Sequence, residues 1–450
     1  MYIVRVTRSS ADSKGKHSVG PNTIGRRSLL QGVLAATSFP AIVPASAFGA
    51  NSRIVMANIG VGEMGSGHCQ ALLQNSDVQV VAVCDVRRQH RERAKRWVDA
   101  RYGDQSCATY NDYRELLARK DIDAVLIAVP DHWHALIGIE AARNGKDMYY
   151  EKPMGLTFAD AKAMREAVRR YGVVFQFGTQ QRSSQQYRYT CELVRNGRIG
   201  ELQTIAIASA QYQPVPTQPV QPVPDGLDYD MWLGQAPWAP YTELRCTRNW
   251  TLIHDYSLGC IGGAYGIHDV DIAQWANDAD HSGPVSAEGT AFIPHEGLYD
   301  TPLTYSIEHH YANGVKLLHM DLQTAKARYE QFRFGIMALL FIGSKGWIYV
   351  SREGMRTHPE SLMHQVIGPN ENKVAFSNDH RRNFLEAVRT RRQPISHIEA
   401  AVRTETVCQQ ADIAIRLGRK LHWDPKREVF LDDEQANRML ARSMRGPWRL

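Results

Sequence analysis

The chain lacks any apolar run long enough to cross a bilayer. Its most apolar N-terminal stretch, residues 29–43, is broken by Gln31, Thr37, Ser38 and Pro40. It falls short of the ~18 residues that a span requires, which excludes a stable membrane anchor. A disulfide framework is missing too. The seven cysteines, at 69, 84, 107, 191, 246, 260 and 408, are odd in number and include no C-x-x-C pair, which is not the pattern of a disulfide framework and leaves room for one or two bridges at most. Net charge is scarce once the first 47 residues are set aside, because six basic and one acidic side chain there carry +5 of the chain's +6. That excludes a nucleic-acid footprint and a basic membrane-binding face. None of the histidines stands in an established metal-ligand spacing, and His309 and His310 point to opposite faces of a strand. No metal site is expected. Repeats and low-complexity tracts are absent, and 43% hydrophobic residues over about 400 positions suffice for two sizeable cores.

What the N-terminus does have is a leader. Arg26-Arg27-Ser28-Leu29-Leu30 precedes the moderately apolar stretch, and Ala45-Ser46-Ala47 closes it as a small-residue cleavage site with a mature start at Phe48. Paired arginines resemble the twin-arginine class of signal, whose export machinery carries proteins already folded. Residues 1–47 therefore read as an export signal, and the protein as periplasmic or otherwise exported. Folding in a reducing compartment before export accounts for unpaired thiols.

Next comes a glycine fingerprint, Gly60-Val61-Gly62-Glu63-Met64-Gly65. An apolar run, 53–59, precedes it as a strand, and 68–75 follows as a helix. Gly60 would permit the tight turn, Gly62 the approach of a pyrophosphate, and Gly65 close packing of helix on strand. Glu63 and Met64 lie at the helix N-terminus, where an anion is favoured. A second apolar run, 78–84, ends at Asp85, where a carboxylate can accept both ribose hydroxyls of adenosine. This points to NAD as cofactor, with Arg87 and Arg88 as the residues that would hold the 2′-phosphate of NADP.

Beyond Asp85 the pattern alternates: helix at 87–102, helix at 110–119, strand at 122–129, helix at 134–144. Such alternation argues for a parallel sheet. The strand ending at Val129 delivers Pro130-Asp131-His132-Trp133-His134, and the short strand 147–150 delivers Glu151-Lys152-Pro153. Both stand at the carboxyl edge where open parallel sheets bind ligands, which makes Pro130, His134 and Glu151 candidate cofactor contacts. Lys152 is placed to meet a substrate oxygen. Hydride transfer from a hydroxyl-bearing carbon needs a group that stabilises the alkoxide or relays its proton.

From residue 201 the pattern turns to period-two strands at 202–212, 285–293, 304–312, 315–322 and 347–351, with hairpin turns at Asn313-Gly314 and 343–346. Residues 213–240, rich in proline, read as a long loop. Helices return at 380–389 and 398–417. Between the strands, the segment from Ile267 has helical spacing, with His268 and Asp271 on one face. On the residues alone His268 is either a general base or a core histidine bonded to Asp271. Arg182, Trp250, Tyr256, Asp269 and Asp271 are further candidates for contacts to sugar hydroxyls or faces.

The fingerprint, the Ala128-Val129-Pro130-Asp131-His132-Trp133-His134 segment and Glu151-Lys152-Pro153, in that order, resemble the Gfo/Idh/MocA oxidoreductase family, in particular its exported members. The resemblance implies a Rossmann domain at 51–178. It implies an α/β domain with a large, mostly antiparallel open sheet at 179–425, serving substrate binding and oligomerisation, and a tail at 426–450. It assigns catalysis to Lys152 and His268, places Gln180 beside the nicotinamide, and implies a homo-oligomer acting on sugars, cyclitols or their derivatives. Ala264 departs from the family's Asp-x-x-x-His pair. Because dinucleotides are not normally supplied outside the cytoplasm, an exported member implies a tightly bound, internally recycled cofactor. Three readings follow: a sugar oxidoreductase, an NAD-dependent glycosidase working by transient oxidation and elimination, and a non-catalytic sugar-binding protein.

Overall fold

The computed structural model describes residues 53–450; the expected leader at 1–47 lies outside them. Six strands form the first sheet: β1 (Ile54–Ile59), β2 (Val78–Cys84), β3 (Ala108–Tyr110), β4 (Ala124–Ile127), β5 (Asp147–Tyr150) and β6 (Phe175–Phe177). Their order is β3-β2-β1-β4-β5-β6, and every neighbouring pair is parallel. The chain winds outward from β1 to β3 and then restarts at β4 on the other side of β1. That reversal opens a crevice at the carboxyl ends of β1 and β4, where such sheets take ligands.

The fingerprint helix runs Glu63–Leu73, starting five residues before the predicted 68 because the glycine turn is itself its first turn. The region 110–119 is not one helix. Tyr110 ends β3, and a short helix, Tyr113–Leu117, starts after Asp112, whose side chain accepts from the Arg114 N–H. Two long helices appear that the sequence pattern did not mark. One, Phe158–Tyr171, follows a capping box made by Thr157 and Asp160, and the other is Gln185–Arg195.

The second sheet has nine strands: β7 (Leu202–Ser209), β8 (Ser286–Phe292), β9 (Thr304–His310), β10 (Lys316–Asp321), β11 (Ala338–Gly343), β12 (Trp347–Ser351), β13 (Gly354–His358), β14 (Leu421–Asp424) and β15 (Val429–Phe430). Their order is β13-β12-β11-β7-β10-β9-β8-β14-β15. The pairing is antiparallel except for β7 with β10, which run parallel. Because β15 belongs to residues 426–450, that region is part of the sheet's edge rather than a tail; further on, Trp448 packs edge-on against Trp133 at 4.9 Å.

One face of this sheet is covered by the helices Gly266–Ala276 and Ile398–Leu417, which are buried over almost their whole circumference, as expected of helices lying between layers. A contiguous core joins Ile127 and Tyr150 of the first sheet to Ile207 and Leu317 of the second. The cleft between the sheets thus has walls anchored in the same packed interior. All seven cysteines are buried and unpaired, and burial pushes the Cys69, Cys246 and Cys260 thiols up to about 12.

Burial also pulls His132 down to about 4 and His134, His268, His309 and His319 down to about 3. In unfolded chain an imidazole titrates near ~6.5. Below that pH the unfolded state binds more protons than the folded one. Stability is therefore fully present above about pH 6.5 and is lost as the pH falls toward about 3, by up to about 1.4 kcal/mol per pH unit for each such histidine. Denaturant unfolding measured at a series of pH values should show a steep decline on the acid side, and a flat profile would contradict the burial of these rings.

Candidate active site

The cofactor end of the crevice is built by backbone geometry. Gly60 has φ of +81°, and a Cβ there would sit 2.2 Å from the Ala128 carbonyl oxygen; only glycine fits. At Gly65 a Cβ would lie 2.0 Å from the Gly60 carbonyl oxygen, so the helix approaches the turn as closely as backbone allows. Gly62 differs: a Cβ there would meet nothing nearer than the His90 ring at 3.9 Å. It also starts the helix with no side-chain cap, which leaves first-turn N–H groups free for an anion. Asp85 accepts from the Val61 N–H at 3.0 Å and the Arg87 N–H at 2.8 Å, holding a carboxylate at the end of β2. These residues fit a dinucleotide. Glu63 and Met64 are exposed, and Pro130 is half-buried at the end of the segment that follows β4.

Lys152 follows β5, and its ammonium donates to the Gly263 carbonyl at 2.8 Å. Gly263 belongs to the second domain, five residues before His268. His268 sits in the first turn of the helix Gly266–Ala276 and is 5% exposed, with Nδ1 unpartnered. Burial, and then the positive charge of Lys152, lower its imidazole to about 3. The structure therefore brings the lysine and a neutral histidine from opposite sides into one electrostatic environment.

Several predicted contacts turn out to be engaged elsewhere. The Glu151 carboxylate accepts from His68 Nε2 at 2.8 Å and is 6% exposed. Burial alone would raise it, but His68, Lys152 and His268 hold it down at about 2. It is a buried buttress for the lysine rather than a cofactor contact. His134 is 1% exposed and lies against Tyr150, so it packs under the segment rather than projecting from it. Arg182 donates to both Asp271 oxygens at 2.7 and 2.8 Å and to both Asp280 oxygens at 2.9 and 2.8 Å, with its guanidinium over Trp275. Arg182 and Asp271 are thus not substrate contacts: each exhausts its charge on the other. Tyr256 is fully buried, its ring held between His132 and Trp232, so no sugar can stack on it. Asp269 is also fully buried, beside Gln181 at 3.4 Å. Burial raises it to about 8, which leaves it a protonated interior acid and not a substrate ligand. Gln180 is exposed and Trp250 half-buried; both keep surface to offer.

Two features escaped sequence reasoning. The first is a strap, residues 226–250, laid by the second domain along the adenosine end. Arg88 N–H donates to the Gly226 carbonyl at 2.8 Å, Asp228 N–H to Val86 at 3.1 Å, and Arg87 to the Cys246 carbonyl at 3.1 Å. Arg248 reaches Glu63 of the fingerprint at 3.2 Å. Proline richness marked this stretch as irregular without saying what it touches. The second is Asp131, 1% exposed, with Oδ2 lacking any hydrogen-bond partner. Its neighbours in the motif drew attention; its own burial was invisible to a local pattern.

The Arg182 network gives a direct test of the structural assignment. Arg182→Met leaves Asp271 and Asp280 without a cation and should destabilise the fold by about 3–5 kcal/mol; thermal or denaturant unfolding measures it. A variant that unfolds like the parent would return Arg182 to the candidate ligands.

Comparison with known proteins agrees with this architecture. Residues 54–179 match the NAD-binding Rossmann fold of the Gfo/Idh/MocA oxidoreductase family, and residues 211–450 match its C-terminal alpha/beta domain. Myo-inositol 2-dehydrogenase of Thermotoga maritima is 29% identical over 183 residues, 41% of this chain and 53% of that one. A glycosyl hydrolase family 109 protein of Shewanella baltica is 32% identical over 147 residues, 32% of each. The chain spans about half the length, or less, of the curated relatives it matches. Among solved structures, the WlbA dehydrogenase of Bordetella pertussis in complex with NADH and UDP-GlcNAcA superposes with a TM-score of 0.59 at 16% identity, over 83% of this chain and 99% of that one. With both of its domains matched in order over most of its length, the chain belongs to the Gfo/Idh/MocA oxidoreductase family.

Proposed function

We propose that the protein is an NAD(H)-dependent oxidoreductase acting on a hydroxyl-bearing carbon of a sugar, cyclitol or sugar derivative. The observation that carries this reading is the convergence of Lys152 and His268 beside an NAD-binding Rossmann crevice, with Lys152 held on the Gly263 carbonyl at 2.8 Å. The inositol dehydrogenase relative supports the substrate class. Bound in the crevice, the nicotinamide supplies the hydride acceptor. The chain supplies the rest. The Lys152 ammonium stabilises oxyanion charge as the hydroxyl loses its proton, and His268, kept neutral by burial, is suited to orient that hydroxyl through a hydrogen bond at a ring nitrogen. The contiguous core keeps both walls in place, so the groups are positioned before substrate arrives.

The Arg26-Arg27 leader motivates the finer part of the proposal: an exported protein, carried folded by the twin-arginine machinery, that leaves with its cofactor bound and regenerates it in place. The strap 226–250 along the adenosine end is consistent with slow release. A homo-oligomer is expected from family resemblance, with residues 51–178 as the cofactor domain and 179–425 as the substrate and assembly domain. A second reading is favoured by the family 109 glycosidase relative: transient oxidation of a ring carbon, elimination of a glycosidic substituent, and reduction back.

Mass spectrometry of protein purified from the periplasm should find stoichiometric NAD(H); an empty protein would favour a freely exchanging dehydrogenase or a sugar-binding protein. Labelled glycosides that yield free aglycone without net NADH would select the glycosidase reading. Lys152→Ala and His268→Ala should each lower turnover by about 10²-fold or more while nucleotide binding persists. Retained turnover would remove that residue from the chemistry.

A further inference from the structure

The helix that carries His268 offers no carboxylate for the proton path. Asp271 is held by Arg182; Asp269, whose Oδ2 is also unpartnered, lies beside Gln181 outside the pull of Lys152; and position 264 is an alanine. A carboxylate arrives instead from the other wall. Asp131, just beyond the end of β4, points its buried Oδ2 at Gly263: a Cβ on that glycine would lie 2.4 Å from Asp131 Oδ2 and 1.9 Å from Ser257 Oγ. The carbonyl of the same glycine accepts the Lys152 ammonium at 2.8 Å. Lys152 and Asp131 thus converge on one residue whose missing side chain leaves them room. The Ser257 hydroxyl beside it offsets part of the cost of burying this carboxylate, but Oδ2 makes no hydrogen bond of its own, a deficit of about 1–3 kcal/mol.

We propose that Asp131 is the proton-holding partner of Lys152, acting through the lysine rather than touching the substrate. The inference rests on the nicotinamide-dependent oxidation proposed above. As the substrate C–H bond breaks, its electron pair leaves as hydride to the nicotinamide ring. The hydroxyl proton passes to Lys152, whose ammonium makes no ion pair with Asp131 at rest and must turn from the Gly263 carbonyl to give one of its own protons to the Asp131 carboxylate, and the substrate is left with a C=O bond. The ring loses a positive charge while the carboxylate loses a negative one, so the site keeps its net charge. In the return step Asp131 gives the proton back.

The surroundings of Asp131 single it out. His132 and His134 flank it on its own segment, Tyr150 faces it from β5, Glu405 from the helix Ile398–Leu417, and His268 stands beyond Lys152. Burial keeps His132, His134 and His268 neutral at pH 7 and raises Glu405 to about 8, so that it is mostly protonated. It also keeps the Tyr150 phenol un-ionised. Lys152 is the charged neighbour among these. Asp131 itself is raised to about 7 by burial, against the opposing pull of Lys152 and Ser257, which poises it to take and release a proton near neutral pH.

The test needs no identified sugar. Dissociation constants for NAD+ and for NADH are measured on the full protein, stripped of nucleotide, between about pH 5.5 and 8.5. The cationic ring favours ionised Asp131, so binding of NAD+ should strengthen relative to NADH by about tenfold as pH rises, and Asp131→Asn should flatten that ratio while Asp131→Glu restores a slope. Infrared difference spectra of the unmutated protein, NADH-bound minus NAD+-bound, should show a carboxylic-acid C=O band that the Asp131→Asn spectrum lacks. An Asp131→Asn protein with the parent's pH-dependent ratio, or a parent spectrum without the band, overturns the proposal. Failure of the parent to bind either nucleotide would instead overturn the functional reading beneath it.

Discussion

The hydrogen bond from the Lys152 ammonium to the Gly263 carbonyl is the joint on which the site depends. It ties the end of a parallel strand in the first domain to the segment that opens the His268 helix in the second, across the groove where hydride chemistry would occur. A lysine has four rotatable bonds and loses much side-chain entropy when fixed. Here the cost is offset by a charge-assisted bond and by a buried Glu151 next to it, itself pinned by His68. In the proposed reaction, the amine held there would define where a substrate oxygen can sit.

That joint holds because the domains are not independent bodies. Side chains of both sheets belong to one core, and the two helices that cover the second sheet have almost no solvent-facing surface. Some interior charges are satisfied by one another: Arg182 by two aspartates, Glu151 by His68. Such pairs are costly to break and add geometric definition, and they explain why so many charged residues near the cleft are structural.

Much of the fold was legible from local pattern. The strands at 147–150 and 347–351 and the helix at 398–417 matched their predicted bounds, because apolar periodicity and a terminal glycine mark them without ambiguity. β11 escaped detection because Ala338–Gly343 is a nearly continuous apolar run of the kind that helices and buried strands share. β13 and β15 escaped because short edge strands carry little signal. At the site, the glycine positions could be read from sequence since backbone sterics are local. The roles of Arg182, Tyr256 and Glu151 could not, since each is set by a partner up to about a hundred residues away, and a charged or aromatic residue near a motif looks the same whether it faces a ligand or another side chain. Asp131 is the converse: an ordinary residue in the motif whose meaning lies in a glycine from the other domain.

The seven buried thiols have a consequence of their own. With no cystine to form and no accessible thiolate to attack, the native state is the same molecule on either side of a redox boundary.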